Sequence, residues 1–221
     1  MRFYDYRLAP SPRKVRLFIA EKGLDVPTVE VDLRARAQQE PEFLAKNPGA
    51  TVPVLELDDG TCLTESLAIC HYLEQVRPEP NLMGRDAKEQ ALVLMWTDLQ
   101  TYEGYLGLQE VLRNGHEAFK SRGLGGPVAY EQIPALVERG RRRAEVYFNK
   151  LETRLGESPF IASDRFTYAD IVGFVYLGFA ARALGSAPPV DERPALKLWS
   201  ETGAARPAIR NGPIRSVPRP E

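Results

Sequence analysis

Apolar residues recur at two spacings along this chain, and the pattern changes near residue 80. Before that point, short apolar runs alternate with helical stretches. Arg2–Tyr6 reads as a short strand, and Pro10-Ser11-Pro12 as a loop. Val15, Phe18 and Ile19 fall at helical spacing within Arg13–Lys22, and Gly23 suits the end of that helix. Val26–Asp32 reads as a second strand. A strand–helix–strand unit favours parallel pairing. Pro41–Lys46 is a short helical turn. Val54–Leu57 and Thr61–Leu63 flank Asp58-Asp59-Gly60, a hairpin signal. Ser66–Val76 then reads as an amphipathic helix with Leu67, Ile69, Cys70 and Leu73 inward. The order predicts a small mixed sheet with helices on its faces.

Pro78-Glu79-Pro80-Asn81 reads as a linker, and only helical spacing follows it. Asp86–Asn114 is a long helix or a pair, with Leu92, Met95, Trp96, Leu99 and Leu106 expected inward. Tyr130–Leu155 is a second long helix, with Ile133, Leu136, Val137, Ala144, Phe148, Leu151 and Leu155 inward. Arg139, Arg142 and Arg143 then form a solvated basic face. Thr167 can cap the helix that follows, and Asp170 three residues later can reach back to it. That helix is apolar nearly all round to Leu184, so it belongs in the middle of a bundle. Leu196–Thr202 is a further short helix. The expected division is 1–80 as an α/β domain, 86–210 as an all-helical domain, and 211–221 as a tail lying as a strap over the surface.

Composition narrows the classes of function. A net charge of -1 over 221 residues gives no electrostatic case for nucleic acid or an anionic membrane. No apolar run approaches the ~20 residues that span a bilayer, and the start of the chain lacks a secretory core. Cys62 and Cys70 read as reduced packing residues, which fits a cytoplasmic protein. His71 and His116 have no partner at metal-ligand spacing, so no metal is expected.

Two short motifs carry chemistry. Val52-Pro53 reads as an extended dipeptide, because the proline ring excludes the α region for the residue before it. A kink there leaves the Val52 N–H and C=O free of the sheet and open to a ligand. Glu65-Ser66 stands where a strand gives way to a helix, where free N–H groups attract an anion. Each feature alone also fits a structural role: Glu65 as helix-start charge, Ser66 as a cap, Pro53 as an edge proline. Together they describe a receptor for a small acidic peptide.

With these motifs in this order, the chain resembles the cytosolic glutathione transferase family over nearly its whole length. The carrying residues are Pro10–Leu17, Pro41–Leu44 before Asn47-Pro48, Val52-Pro53, Glu65-Ser66, Phe166–Ile171 and Arg206–Ile209. The resemblance implies a thioredoxin-like N-terminal domain, an all-helical C-terminal domain and a homodimer. It implies glutathione as co-substrate, held at its cysteinyl part by the Val52 main chain beside a cis Pro53. Glu65 would hold the γ-glutamyl ammonium, Ser66 its carboxylate, and Gln38 the glycyl carboxylate. The implied reaction joins the glutathione thiolate to a small hydrophobic electrophile. Leu8, Ala9, Tyr102, Tyr105 and Leu108 are candidates to line the second-substrate pocket.

The group that activates the thiol departs from the familiar patterns. A thiol with a pKa near ~8.5 must be held as thiolate to react. Aligned on Arg13 and Val15, the serine of serine-type members falls at position 9, which here is Ala9. No cysteine stands in this loop, and Tyr4 and Tyr6 do not match the tyrosine-type position. In Nu-type members a polar residue corresponding to Ser11 contacts the sulfur. Ser11 is therefore the expected hydrogen-bond donor, aided by neighbouring backbone N–H groups, and Arg13 would add positive potential. A loop or N-cap role for Ser11, and a structural role for Arg13, are the alternatives. Glutathione-dependent disulfide or peroxide reduction, or glutathione binding without catalysis, are the alternative functions.

Overall fold

The computed structural model describes residues 1–186, 189–211 and 216–217. The chain divides into two compact units. The first comprises Met1–Pro80, Gly125–Val128 and the described residues from Pro207 onward; the second comprises Asn81–Leu124 and Ala129–Arg206.

In the first unit the elements are β1 (Arg2–Asp5), α1 (Pro10–Glu21), β2 (Thr28–Glu30), α2 (Pro41–Leu44), β3 (Val54–Glu56), β4 (Cys62–Thr64) and α3 (Ser66–Val76). The strand order is β4-β3-β1-β2, with β2 parallel to β1 and both β3 and β4 antiparallel to their neighbours. This is the thioredoxin-like mixed sheet. Buried Phe3, Val15, Phe18, Leu55, Ile69 and Leu73 form its main core. At the end of α1 the Lys22 ammonium is sealed in. It pairs with Glu74 at 2.5 Å and donates to the carbonyls of Pro78 and Pro80.

Two expectations change here. Pro10-Ser11-Pro12 is not a loop but the first turn of α1, which starts at Pro10. Proline fits that turn because its fixed φ is already helical and its missing N–H would have no helical partner there. Of the expected tail 211–221, Asn211 ends a short helix, α9 (Pro207–Asn211), and Ser216–Val217 form β5, parallel to β2 at Thr28–Val29. The rest of that segment lies outside the described residues.

The second unit is helical: α4 (Ala87–Leu99), a π-helical turn over Gln100–Tyr105, α5 (Leu106–Gly115), α6 (Ala135–Glu157), α7 (Tyr168–Leu184) and α8 (Pro194–Ala204). Helix α7 is the central one, with twelve of its residues buried. Its capping box is formed, and Asp170 accepts hydrogen bonds from the Ile161 and Thr167 backbone, the Thr167 hydroxyl and the Trp199 indole. No helix among the described residues is long and apolar enough to cross a membrane.

The inward face of α4 differs from the expected one. Met95 and Leu106 are 50% and 40% exposed, whereas Val93, Thr97, Gln100, Gly104 and Leu108 are buried. The inward face runs from Val93 through Thr97 and Gln100 to Gly104, so its core positions include a Thr, a Gln and a Gly. Gln100 earns burial by donating to the Ala169 carbonyl at 2.9 Å and accepting from the Tyr147 hydroxyl at 3.0 Å. Ile133 lies before α6 and is exposed. The expected basic face of α6 is not simply solvated: Arg139 and Arg143 converge on the Glu110 carboxylate, while Arg142 pairs with Glu138.

Candidate glutathione site

The strand register gathers most of the expected binding residues at one end of the sheet. Thr64 pairs with Val54, Val54 with Tyr4, and Tyr4 with Val29, a single row across four strands. Immediately beyond that row lie four exits. From Thr64 the chain passes to Glu65-Ser66, and Val54 is preceded by Val52-Pro53. From Tyr4 it runs to Ala9 and Ser11, and from Val29 toward Ala37 and Gln38. A shared cluster ties these segments together: Tyr4, Val29, Ala37, Val52 and Val54 are buried, with Tyr6 and Ala9 packed against them.

Each exit presents uncommitted polar groups. The Val52–Pro53 bond is cis, and the Val52 N–H and C=O have no partner among the described residues. Pro53 precedes β3, an interior strand, so it is not an edge proline. Glu65 has φ 63° and ψ 120°, a backbone region that strains a residue with a side chain. Its carboxylate makes no cap hydrogen bond, so a capping role does not explain it. Ser66 is the first residue of α3 and is buried, with its hydroxyl making no hydrogen bond among the described residues. The first-turn amides of α3 and its dipole favour an anion beside Ser66. Gln38 lies in a 3-10 turn, Ala37–Gln39, and its buried Oε1 lacks a donor among the described residues.

The start of α1 is more sparing. Ala9 is the N-cap, so Ser11 is not a cap. Pro10 and Pro12 carry no N–H, and the Arg13 N–H already donates to the Ala9 carbonyl at 3.3 Å. The expected group of backbone donors therefore shrinks to one amide, that of Ser11, alongside its hydroxyl. Arg13 is largely buried, and desolvation followed by the neighbouring Arg16 charge lowers its pKa. Tyr4 is not available as a thiol donor, since its hydroxyl donates to Glu56 at 2.6 Å. Burial, then that bond, raises its pKa. Below the site, burial pushes the Asp5 carboxyl up to about 6, against the pull of the Arg16 guanidinium.

The candidate lining of the second-substrate pocket is mixed. Leu8 is 45% exposed and Ala9 packs on the cluster just described. Tyr102 is exposed beneath the Arg143 guanidinium, and Tyr105 stacks on Tyr176. Leu108 is a correction: it has no exposed surface and belongs to the core of the helical unit.

A mixed five-stranded sheet with unpaired polar groups at one end, followed by a helical unit, defines a thioredoxin-like domain joined to an all-helical one. The model of the glutathione S-transferase N-terminal domain matches residues 9–76, and that of the C-terminal domain residues 134–202. Glutathione S-transferase 2 of Saccharomyces cerevisiae is 35% identical over 212 residues, covering 95% of this chain and 88% of the yeast protein. A solved glutathione S-transferase domain-containing protein from Marinobacter aquaeolei is 36% identical with a TM-score of 0.84, covering 95% of this chain and 100% of that one. The solved Gtt2 of Saccharomyces cerevisiae is 32% identical with a TM-score of 0.85, over 96% and 99% of the two chains. The chain belongs to the glutathione S-transferase family and is a glutathione transferase.

Proposed function

We propose that this enzyme conjugates the thiolate of glutathione to small hydrophobic electrophiles in the cytosol, as a homodimer. The observation that carries the reading is the single register row, with Val52, Glu65, Ser66, Ser11 and Gln38 all on segments leaving its far side. The Val52 N–H and C=O pair with the cysteinyl residue as an added strand would. Glu65 holds the γ-glutamyl ammonium as a charge-assisted bond, and Ser66 with the α3 amides holds its carboxylate. Gln38 turns its amide NH2 to the glycyl carboxylate.

Ser11 stabilises the thiolate with its hydroxyl and its amide, and Arg13 adds positive potential at the same helix end. Lowering a thiol pKa by about two units takes roughly 3 kcal/mol of preference for the thiolate, within reach of two such donors and a helix dipole. The reaction forms a C–S bond at the electrophile, releases its leaving group, and passes the thiol proton to solvent.

The test is conjugation of glutathione to 1-chloro-2,4-dinitrobenzene by the native enzyme and by Ser11→Ala. A rate lowered by roughly tenfold or more, with glutathione affinity retained, is expected. An undiminished rate removes the Ser11 hydroxyl from the mechanism.

A further inference from the structure

On the helical run entering and forming α5, Tyr105, Gln109 and Arg113 recur every fourth residue and share one face. The Gln109 amide links them: Nε2 donates to the Tyr105 hydroxyl at 2.5 Å, and Oε1 accepts from Arg113 Nε at 2.7 Å. Arg113 Nη1 donates to the Arg122 carbonyl at 3.0 Å. Arg122 in turn donates to the Ala118 carbonyl. The two guanidinium groups lie against one ring, 5.1 and 5.5 Å from the centre of Phe119.

No carboxylate pairs with either guanidinium among the described residues. The nearby Glu131 is held by the Ser121 hydroxyl at 2.8 Å. The contrast within the same unit is sharp. Arg139 and Arg143 share Glu110, and Arg165 pairs with Glu89. Arg113 is largely withdrawn from water, and that burial, opposed by Tyr105 and added to by Arg122, lowers its pKa. A largely buried charge without a counter-charge is unfavourable unless something else supplies one. Arg113 Nη2 and the Tyr105 hydroxyl proton have no acceptor among the described residues, which leaves two donors for an anion. Beside them the Tyr105 ring stacks on Tyr176 at 5.2 Å and meets Phe179 at 5.9 Å.

We propose that Arg113, Arg122 and the Tyr105 hydroxyl form an anion-binding site within the helical unit that takes aromatic carboxylates. Arg113 offers a planar donor fork suited to a carboxylate, and the half-buried Tyr105 ring, backed by Tyr176, is the aromatic group beside it.

The test compares 4-chloro-3,5-dinitrobenzoate with its methyl ester, which keeps the reacting carbon and leaving group but not the charge. Binding of each is measured by calorimetry without glutathione. The native enzyme is expected to bind the benzoate roughly tenfold or more tighter than the ester. Arg113→Gln should abolish that preference and Arg113→Lys should restore part of it. Arg122→Gln, outside the helices, should weaken the preference even if Arg113→Gln fails to fold. Equal affinity for the two compounds in the native enzyme, or an undiminished preference in Arg122→Gln and Arg113→Gln, overturns the proposal. Conjugation with glutathione is read separately. A benzoate preference without any turnover removes the conjugation reading and leaves the anion site standing.

Discussion

The Gly107 carbonyl oxygen lies 2.5 Å from where a Cβ at Gly140 would stand. Helices α5 and α6 cross there with their backbones nearly touching, and the Glu110 and Val111 side chains would both be 2.9 Å from the same added atom. Alanine ordinarily favours a helix over glycine by about 1 kcal/mol, but a carbonyl cannot move aside as a flexible side chain can. Gly140→Ala is expected to destabilise the protein by about 1–3 kcal/mol net, read as a shift in the urea unfolding midpoint at unchanged slope.

Asp170 gives a second stability prediction. Its carboxylate serves four donors, and it is fully buried at the start of α7. Asp170→Ala leaves those donors without an acceptor, for a loss of roughly 3–5 kcal/mol. Asp170→Asn, which keeps one carbonyl oxygen, should lose less. Thermal unfolding of the two variants checks the order.

Asp5 gives a pH dependence of definite sign. Its carboxyl titrates near 6 in the folded protein against 3.8 in the unfolded chain. The folded state therefore holds a proton that the unfolded state has lost over that interval. The stabilisation is fully present below pH 3.8 and disappears as pH rises through about 6. The contribution reaches at most about 3 kcal/mol by linkage. Asp5→Asn should flatten the fall in stability between pH 4 and 7 relative to the native enzyme. Urea titrations of both across that range decide it, and parallel curves would rule the effect out.

The proposed homodimer has a direct check. Leu94 and Met95 on α4, Tyr102 in the π turn and Leu106 at the start of α5 are exposed apolar side chains. Surface of this kind on a soluble protein commonly marks an interface. Light scattering should give twice the 24.8 kDa chain mass, and Met95→Glu should shift the mass toward the single chain.

Much of this was legible in the sequence where local chemistry decides structure. Ser66–Val76 has the expected bounds, and the capping box at Thr167 and Asp170 forms as the spacing implies. Val52-Pro53 and Glu65-Ser66 were visible as motifs, because proline and helix-start residues act on their immediate neighbours. What escaped depended on geometry that hydropathy does not encode. The inward face of α4 and the π turn falls on Thr97, Gln100 and Gly104, polar or small residues that no apolar pattern selects. Leu108 follows Tyr105 by three residues, in α5, but is buried in the core. Reading Pro10-Ser11-Pro12 as a loop hid the fact that its prolines strip the α1 terminus to a single free amide. The Tyr105–Gln109–Arg113 spacing was present in the sequence, but only the contacts reveal that Arg113 has no acid among the described residues.

The most direct test of the central claim is glutathione binding by titration calorimetry to the native enzyme and to Glu65→Ala. Glu65 is held in a strained backbone with its carboxylate uncommitted, and a charge-assisted bond of its kind contributes about 1.5–3 kcal/mol. The account predicts a single site per chain in the native enzyme and a loss of affinity of roughly tenfold or more in Glu65→Ala, with unfolding stability retained. Equal affinity in the two proteins, or no binding to the native enzyme, would contradict it.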